Sequence, residues 1–283
     1  MRQLGRLRSL LFAPAVRPDF ITKLPQRGAD AVVIDCEDAT PANAKAEARL
    51  NARRLAPSVA ASGTQVMVRV NAVASEWFED DVQDALSDEL AAVIVPKVDT
   101  WAALDACDHA LEDAGFGYLG VIAGIETALG VADARPLLAH PRVVGAYFGA
   151  ADFIADMGGV RTGSNVEVHH ARSVVALSAR LAGVPVLDQI VADFRDGERF
   201  TAESADARAL GFSGKLCIHP DQVAIANSAF VPSAEEIGRA QRLLHAYEHA
   251  SSAGIAAIDF EGQMVDEPLA VQARRIIDLA DQA

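Results

Sequence analysis

The sequence predicts an α/β fold, a (β/α)8 barrel with a C-terminal extension, on three observations. Short apolar, β-rich runs recur about every thirty residues, helix-length spacers separate them, and most of the runs end in a charged residue. Strands alternating with helical spacers form a parallel sheet, and eight of them can close it into a barrel. In such barrels the catalytic groups sit at the C-terminal ends of several strands. Charge gathered at the ends of otherwise apolar runs therefore points to an enzyme.

Taken in order, Leu10-Leu11-Phe12 leads to Arg17, and Val32-Val33-Ile34 runs into Asp35, Glu37 and Asp38. Val66-Met67-Val68 ends at Arg69, and Val93-Ile94-Val95 ends at Pro96-Lys97. The run at residues 121–125 delivers Glu126, and the run at 143–148 delivers Asp152. Residues 184–187 deliver Asp188, and Leu216-Cys217-Ile218 delivers His219. Between these runs, residues 43–55 predict a helix with Leu50 and Leu55 on its apolar side. Thr100 can cap a helix over 101–111. Residues 169–181 predict a helix that turns Val174, Val175, Leu177 and Leu181 to the barrel and stops at Gly183. Ser233 starts a long polar helix, residues 254–268 read as a loop, and 269–279 as a short amphipathic helix. The barrel domain is thus expected over residues 1–231 and the extension over 232–283.

A chain of 283 residues that is 51% hydrophobic and 23% charged has the composition of an ordinary globular protein. Its net charge of −14 argues against nucleic acid or an anionic membrane as partner. The N-terminus runs the other way: Arg2, Arg6, Arg8, Arg17, Lys23 and Arg27 outnumber Asp19 and Asp30. That patch reads equally as a solvated barrel end and as a site for a phosphorylated ligand. Cys36, Cys107 and Cys217 are odd in number and widely spaced, which fits free thiols in a reducing cytoplasm. The Arg-rich, apolar start imitates a secretory signal, but its removal would delete the first strand, so it is read as strand. No apolar run reaches the roughly 18 residues of a membrane span.

Residues 115–120 match GxGxxG, but the helix precedes and the strand follows, the reverse of a dinucleotide site. His169 and His170, with Glu167, could be ligands, yet adjacent histidines at a helix start read as solvent-facing. Glu126 and Asp152 end runs too apolar to tolerate charge unless it reaches a polar mouth. Two such carboxylates suit Mg²⁺, which takes one or two carboxylates and completes its shell with water and substrate oxygens. The alternative is that each caps a helix or pairs with Arg69 or Lys97. Asp35, Glu37 and Asp38 could supply a base or outer-shell ligands to metal-bound waters, and three carboxylates so close need a cation or arginine nearby. His219 reads as a hydrogen-bonded residue fixing the last turn.

Further pieces join these residues: Leu11-Phe12-Ala13-Pro14 with Arg17-Pro18, Ile34-Asp35-Cys36-Glu37-Asp38, Val68-Arg69-Val70-Asn71 and Pro96-Lys97. Ile125-Glu126-Thr127, Gly149-Ala150-Ala151-Asp152, Cys217-Ile218-His219-Pro220 and the Phe260 to Asp266 stretch complete the set. On these pieces, in order and nearly end to end, the chain resembles the citrate lyase β-subunit and malyl-CoA lyase group of the HpcH/HpaI aldolase–citrate lyase superfamily. The resemblance implies a Mg²⁺-dependent TIM barrel that cleaves or forms a carbon–carbon bond in a 3-hydroxyacyl-CoA thioester. It implies that Glu126 and Asp152 hold the metal and that Arg69 contacts the reacting oxygens; Glu37 and Asp38, on the reading of the residues above, are further catalytic candidates. Arg17 and Lys23 would meet the phosphates of CoA, and Ala150 and Ala151 would border the substrate. Asp266 would reach a neighbouring subunit's site in a homotrimer or hexamer and handle the enolate's proton. Without the resemblance, Asp266 reads as a cap of the terminal helix. The chain departs from the family pattern at Ala151, where relatives commonly carry Glu, and at Leu129, where many carry Arg. Two other functions stay open: a citrate lyase β-like subunit acting on a carrier-protein thioester, and a Schiff-base aldolase using Lys97 with a depressed pKa.

Overall fold

The computed structural model describes residues 4–281, which leaves Arg2 of the basic patch outside the described residues. Each of the eight expected runs is a strand: β1 (Ser9–Pro14), β2 (Ala31–Asp35), β3 (Gln65–Arg69), β4 (Ala92–Val95), β5 (Gly120–Ile125), β6 (Val143–Phe148), β7 (Val186–Asp188) and β8 (Gly214–Cys217). They pair in parallel in chain order, and β8 returns to β1 to close the barrel. The fold is therefore the (β/α)8 TIM barrel that the spacing predicts.

Alternation along each strand decides which side chains enter the barrel. Leu10, Val33, Met67, Ile94, Ile122, Tyr147, Leu187 and Leu216 form the interior cluster. Two residues beyond Val33 and Met67 come Asp35 and Arg69, which therefore continue the inward face to the C-terminal mouth. Asp188 directly follows inward-facing Leu187 and so turns outward. There it is fully buried, with Arg172 of the helix Val166–Ala182 donating to both its oxygens at 2.9 Å and Lys215 Nζ donating at 2.8 Å. Asp188 thus ties β7 and β8 to a surrounding helix and supplies no charge to the mouth, unlike the other strand-end acids.

The helices start where their caps predict. Thr100 Oγ1 accepts from Ala103 N–H at the start of Trp101–Asp113, and Gly183 (φ 73°) ends Val166–Ala182. Their packing faces differ from expectation. Helix Lys45–Ala60 buries Ala48, Ala52, Ala56 and Val59 and leaves Leu50 exposed. Helix Val166–Ala182 buries Val168, Ala171, Val175 and Ala179 and leaves Leu177 and Leu181 exposed, with Val174 half-buried. Small side chains let these helices approach the sheet closely, so alanines rather than leucines mark the inner face. The GxGxxG segment is a turn into β5, as its order implies. The three cysteines are buried free thiols.

The chain divides into two compact units between Asn227 and Ser228. In the second unit a Ser233–Glu236 capping box opens the helix Ala234–Ser252. The segment expected as a loop contains an antiparallel hairpin, β9 (Ile258–Phe260) and β10 (Gln263–Val265). Glu261 and Gly262 join the strands, both with positive φ, the backbone that a two-residue hairpin turn requires. Helix Glu267–Asp281 then packs Ala270 and Ala273 with Leu243, Tyr247 and Val265 in a separate small core.

Replacing Asp188 with Ala leaves Arg172 and Lys215 buried without their shared counter-charge. The substitution is expected to cost about 3–5 kcal/mol in unfolding free energy, measured by urea titration. A cost under about 1 kcal/mol would show that the triad does not hold β7 and β8 to the helix.

Candidate active site

A cavity of about 420 Å³ opens at the C-terminal ends of the strands. Its charged lining is Asp35, Asp38, Arg69, Glu126 and Asp152. The register of β2 and β3 sets Asp35 opposite Arg69, and the guanidinium donates to both Asp35 oxygens at 2.7 Å. The remaining fork, Nη1, stands 3.0 Å from Glu37 Oε2 and 3.9 Å from Asp38. The Glu37 contact is ionic and not a directed hydrogen bond, since that buried oxygen has no donor aligned on it. Phe12 lies under the Arg69 guanidinium, 5.1 Å from ring centre to Cζ. Burial would weaken the Arg69 charge, but Asp35 and Glu37 reverse the effect and hold its pKa well above the ordinary value.

Lys97 binds the site with both its ends. Its backbone, at φ 53°, is in the left-handed region that a non-glycine residue adopts only when its surroundings enforce it. In that conformation its N–H donates to Glu126 Oε1 at 2.8 Å. Its ammonium donates to Glu37 Oε1 at 2.6 Å and lies 3.4 Å from Asp152 and 3.8 Å from Asp38. Burial acts to lower the Lys97 pKa, yet these carboxylates outweigh it and raise it. A Schiff-base nucleophile needs the opposite shift. The Lys97 aldolase reading is therefore corrected: this lysine stays charged and acts as a counter-ion.

Glu126, 2% exposed, follows β5 directly. Its Oε1 also accepts from the buried Tyr147 hydroxyl at 3.2 Å. Two glycines make room for this arrangement. A Cβ on Gly124 would collide with the Tyr147 hydroxyl, and a Cβ on Gly149 would collide with Glu126 Oε2. Burial, followed by the nearby charges of Glu37 and Asp152, pushes the Glu126 carboxyl up to about 7. Asp152 stands in the first turn of the helix Ala150–Asp156 with its side chain 36% exposed. Five carboxylates (Asp35, Glu37, Asp38, Glu126, Asp152) thus gather around two cations, Arg69 and Lys97. That surplus of negative charge suits a bound divalent cation. Among the described residues no three His, Cys, Asp or Glu side chains form a closed metal cage. Mg²⁺ needs none, because one or two carboxylates suffice with waters and substrate oxygens.

The other expected residues fall into three groups. Asp38 and Ala151 line the cavity, whereas Glu37 lies buried between Arg69 and Lys97 and Ala150 is buried beside the rim. Arg17 and Lys23 are exposed after β1, with Arg17 paired to Asp19 at 2.8 Å and stacked on Phe20. Arg8 is not part of that surface: it is bound to Asp30 at the start of β1, a strand length of roughly 20 Å away. The basic N-terminus is therefore two separate features, not one patch. Leu129 is exposed, His169 and His170 are exposed on their helix, and His219 Nδ1 accepts from Asp221 N–H at the last turn. Asp266 belongs to the second unit, half-buried, and its carbonyl accepts from Ala270 N–H. Sequence reasoning missed Tyr147, the backbone role of Lys97 and the clearance at Gly124 and Gly149. The Gly124 and Tyr147 positions were visible, but only the closed barrel makes them neighbours.

A closed parallel barrel with a charged cleft at its C-terminal ends defines a barrel enzyme. Residues 8–220 match the model of the HpcH/HpaI aldolase/citrate lyase family, and the chain belongs to that family. It is 48% identical over 275 residues to the citrate lyase subunit beta-like protein of Deinococcus radiodurans, covering 96% of each chain. To the mitochondrial citramalyl-CoA lyase of Homo sapiens it is 31% identical over 289 residues, covering 96% of this chain and 85% of that one. The structure of CitE from Mycobacterium tuberculosis, in complex with magnesium, acetoacetate and coenzyme A, superposes with a TM-score of 0.84. That match has 30% identity and covers 99% of this chain and 100% of the other. The chain is accordingly an enzyme, a lyase of the CitE-like type.

Because folding raises the Glu126 pKa, its protonated form is the one the folded state favours. The penalty is absent below the ordinary value of 4.5, grows as pH rises, and is complete above about 7. It amounts to about 3 kcal/mol. In chelator-treated protein the melting temperature is expected to fall between pH 5 and pH 8, and Glu126→Gln is expected to flatten that fall. Parallel pH curves for parent and variant would contradict the assignment.

Proposed function

We propose that the chain is a Mg²⁺-dependent lyase acting on 3-hydroxyacyl-CoA thioesters of the malyl, citramalyl or citryl type. The products are a 2-oxo acid and an acyl-CoA, and the reverse condensation uses the same site. The observation that carries this reading is that Glu126, Asp152, Arg69 and Asp38 edge one cavity at the barrel mouth. The likeness to the human citramalyl-CoA lyase and to the magnesium- and CoA-bound CitE supports it.

Glu126 and Asp152 would hold the metal, and Mg²⁺ bound there supplies Lewis-acid polarisation of the substrate hydroxyl and of the carbonyl it becomes. Lys97 holds Glu126 through its N–H and steadies Asp152 and Glu37 through its ammonium. Arg69, fixed by Asp35, presents positive charge where negative charge develops on the substrate oxygens. Asp38, more exposed than Asp35 and Glu37, takes the hydroxyl proton. Ala150 and Ala151 border the 2-oxo acid. Arg17 and Lys23 bind the CoA phosphates at the outer end of β1. Asp266 from a neighbouring subunit, in a homotrimer or a dimer of trimers, returns a proton to the enolate carbon.

The direct experiment gives the purified chain a panel of CoA thioesters with Mg²⁺ and measures released 2-oxo acid. Release that EDTA abolishes and Mg²⁺ restores is the expected outcome. Release that survives EDTA, together with borohydride trapping of substrate, would refute the metal-dependent reading. Release only from a carrier-protein thioester would make the chain a citrate lyase β-like subunit instead. Glu126→Ala and Asp152→Ala are each expected to lower kcat by at least about 1,000-fold with the fold intact by circular dichroism.

Neutralising Arg17 and Lys23 together is expected to raise KM for CoA thioesters about tenfold or more, with little change in kcat. An unchanged KM would remove these residues from CoA binding. For Asp266, subunits carrying Asp266→Asn are mixed with subunits carrying Glu126→Ala and allowed to exchange. Recovery of activity in the mixture is expected, because some sites then combine an intact Glu126 with an intact neighbouring Asp266. A mixture that assembles and stays inactive rules out the shared site.

A further inference from the structure

Malyl, citramalyl and citryl thioesters differ at one place, the third substituent of the carbinol carbon: hydrogen, methyl or a carboxymethyl group. Resting on the lyase reading above, we infer that this chain accepts hydrogen or methyl there and rejects carboxymethyl. The 2-oxo acid it releases is then a monocarboxylate with no charged tail.

Three features of the mouth carry the inference. First, its cations are committed. Two donors of Arg69 bind both oxygens of Asp35, its third fork faces Glu37, and Lys97 is shared among Glu37, Asp38 and Asp152. Arg161, which lies outside the cavity lining on the loop before Val166–Ala182, is bound to Gln189 at 3.1 Å and faces Glu167 at 3.7 Å. Second, apart from Tyr147, whose hydroxyl is already engaged with Glu126 at 3.2 Å, the rest of the cavity wall is apolar. Phe12, Ala151, Ile190, Leu216 and Ile218 offer no side-chain donor to a carboxylate. Third, the mouth already holds five carboxylates against two cations. A divalent cation and the one carboxylate common to all three substrates leave no positive charge for a second carboxylate. Desolvating that group against a like-charged, apolar wall is unfavourable, whereas a methyl group gains by contact with the same wall.

The chemistry is the same for each substrate. The hydroxyl loses its proton and its oxygen forms the new carbonyl. The bond from the carbinol carbon to the thioester's α-carbon breaks, and its electron pair passes into the thioester enolate. That enolate then gains one proton at carbon. Nothing in this balance depends on the third substituent, so selection falls on the pocket wall alone.

The test compares kcat/KM of the full chain with Mg²⁺ on malyl-CoA, citramalyl-CoA and citryl-CoA. The better of the first two is expected to exceed citryl-CoA by more than about tenfold. Ile218→Arg, which sets a cation on the apolar wall, is expected to move that ratio toward citryl-CoA. A ratio under tenfold in the parent protein overturns the inference while leaving the lyase reading intact. If none of the three is cleaved, the CoA-thioester reading itself fails. Calorimetric titration with Mg²⁺ and either pyruvate or oxaloacetate then still decides the pocket's preference: tighter oxaloacetate overturns the inference, and tighter pyruvate upholds it.

Discussion

Asp35 and Arg69 stand opposite each other in the β2–β3 register, and their bidentate pair sets how the whole mouth is charged. With two donors fixed on Asp35, the guanidinium has a single orientation over Phe12 and turns its last fork to Glu37. Glu37 in turn anchors the Lys97 ammonium, which reaches Asp152, while the Lys97 N–H fixes Glu126. Each acid of the mouth is thereby tied, directly or through Glu37 and Lys97, to one strand-end ion pair. The arrangement is pre-organised, so little reorganisation is left for the moment of reaction.

The same network leaves an imbalance that it does not repair. Arg69 and Lys97 neutralise part of the negative charge, and the remainder weighs on Glu126, which is as buried as Asp35 but has no guanidinium bound to it. Its pKa near 7 records that burden. A carboxylate held in this way gains more from a divalent cation than a solvated one does, because the cation removes repulsion as well as adding attraction. Gly124 and Gly149 matter for the same reason: any side chain there would push aside the Tyr147 hydroxyl or the Glu126 carboxylate.

Much of this was legible in the sequence, and the limits are physical. The eight strands were readable because β-branched runs buried on both faces need no partner to declare themselves. The mouth acids Asp35 and Glu126 and the cation Arg69 were readable because charge at the end of such a run must reach water or a partner. Asp188 looked the same and is not in the mouth, since one residue of alternation turns it to the helices, and strand ends cannot be fixed that finely from sequence. The buried helix faces were misassigned for a related reason: leucine is the more hydrophobic residue, but closeness of packing selected alanine at 48, 52 and 56. The β9–β10 hairpin escaped notice because Glu261-Gly262 is not one of the common turn pairs, although both residues take positive φ. Tyr147 and the Lys97 backbone could not be found at all before strands β4, β5 and β6 were set side by side.

Diffraction from crystals grown with Mn²⁺ in place of Mg²⁺, collected for anomalous signal, tests the metal site most directly. A single anomalous peak at about 2.1 Å from oxygens of both Glu126 and Asp152, at the mouth beside Arg69, is the predicted result. A peak bound by neither carboxylate, or held by Asp35 and Glu37 with the Arg69 pair broken, would contradict it.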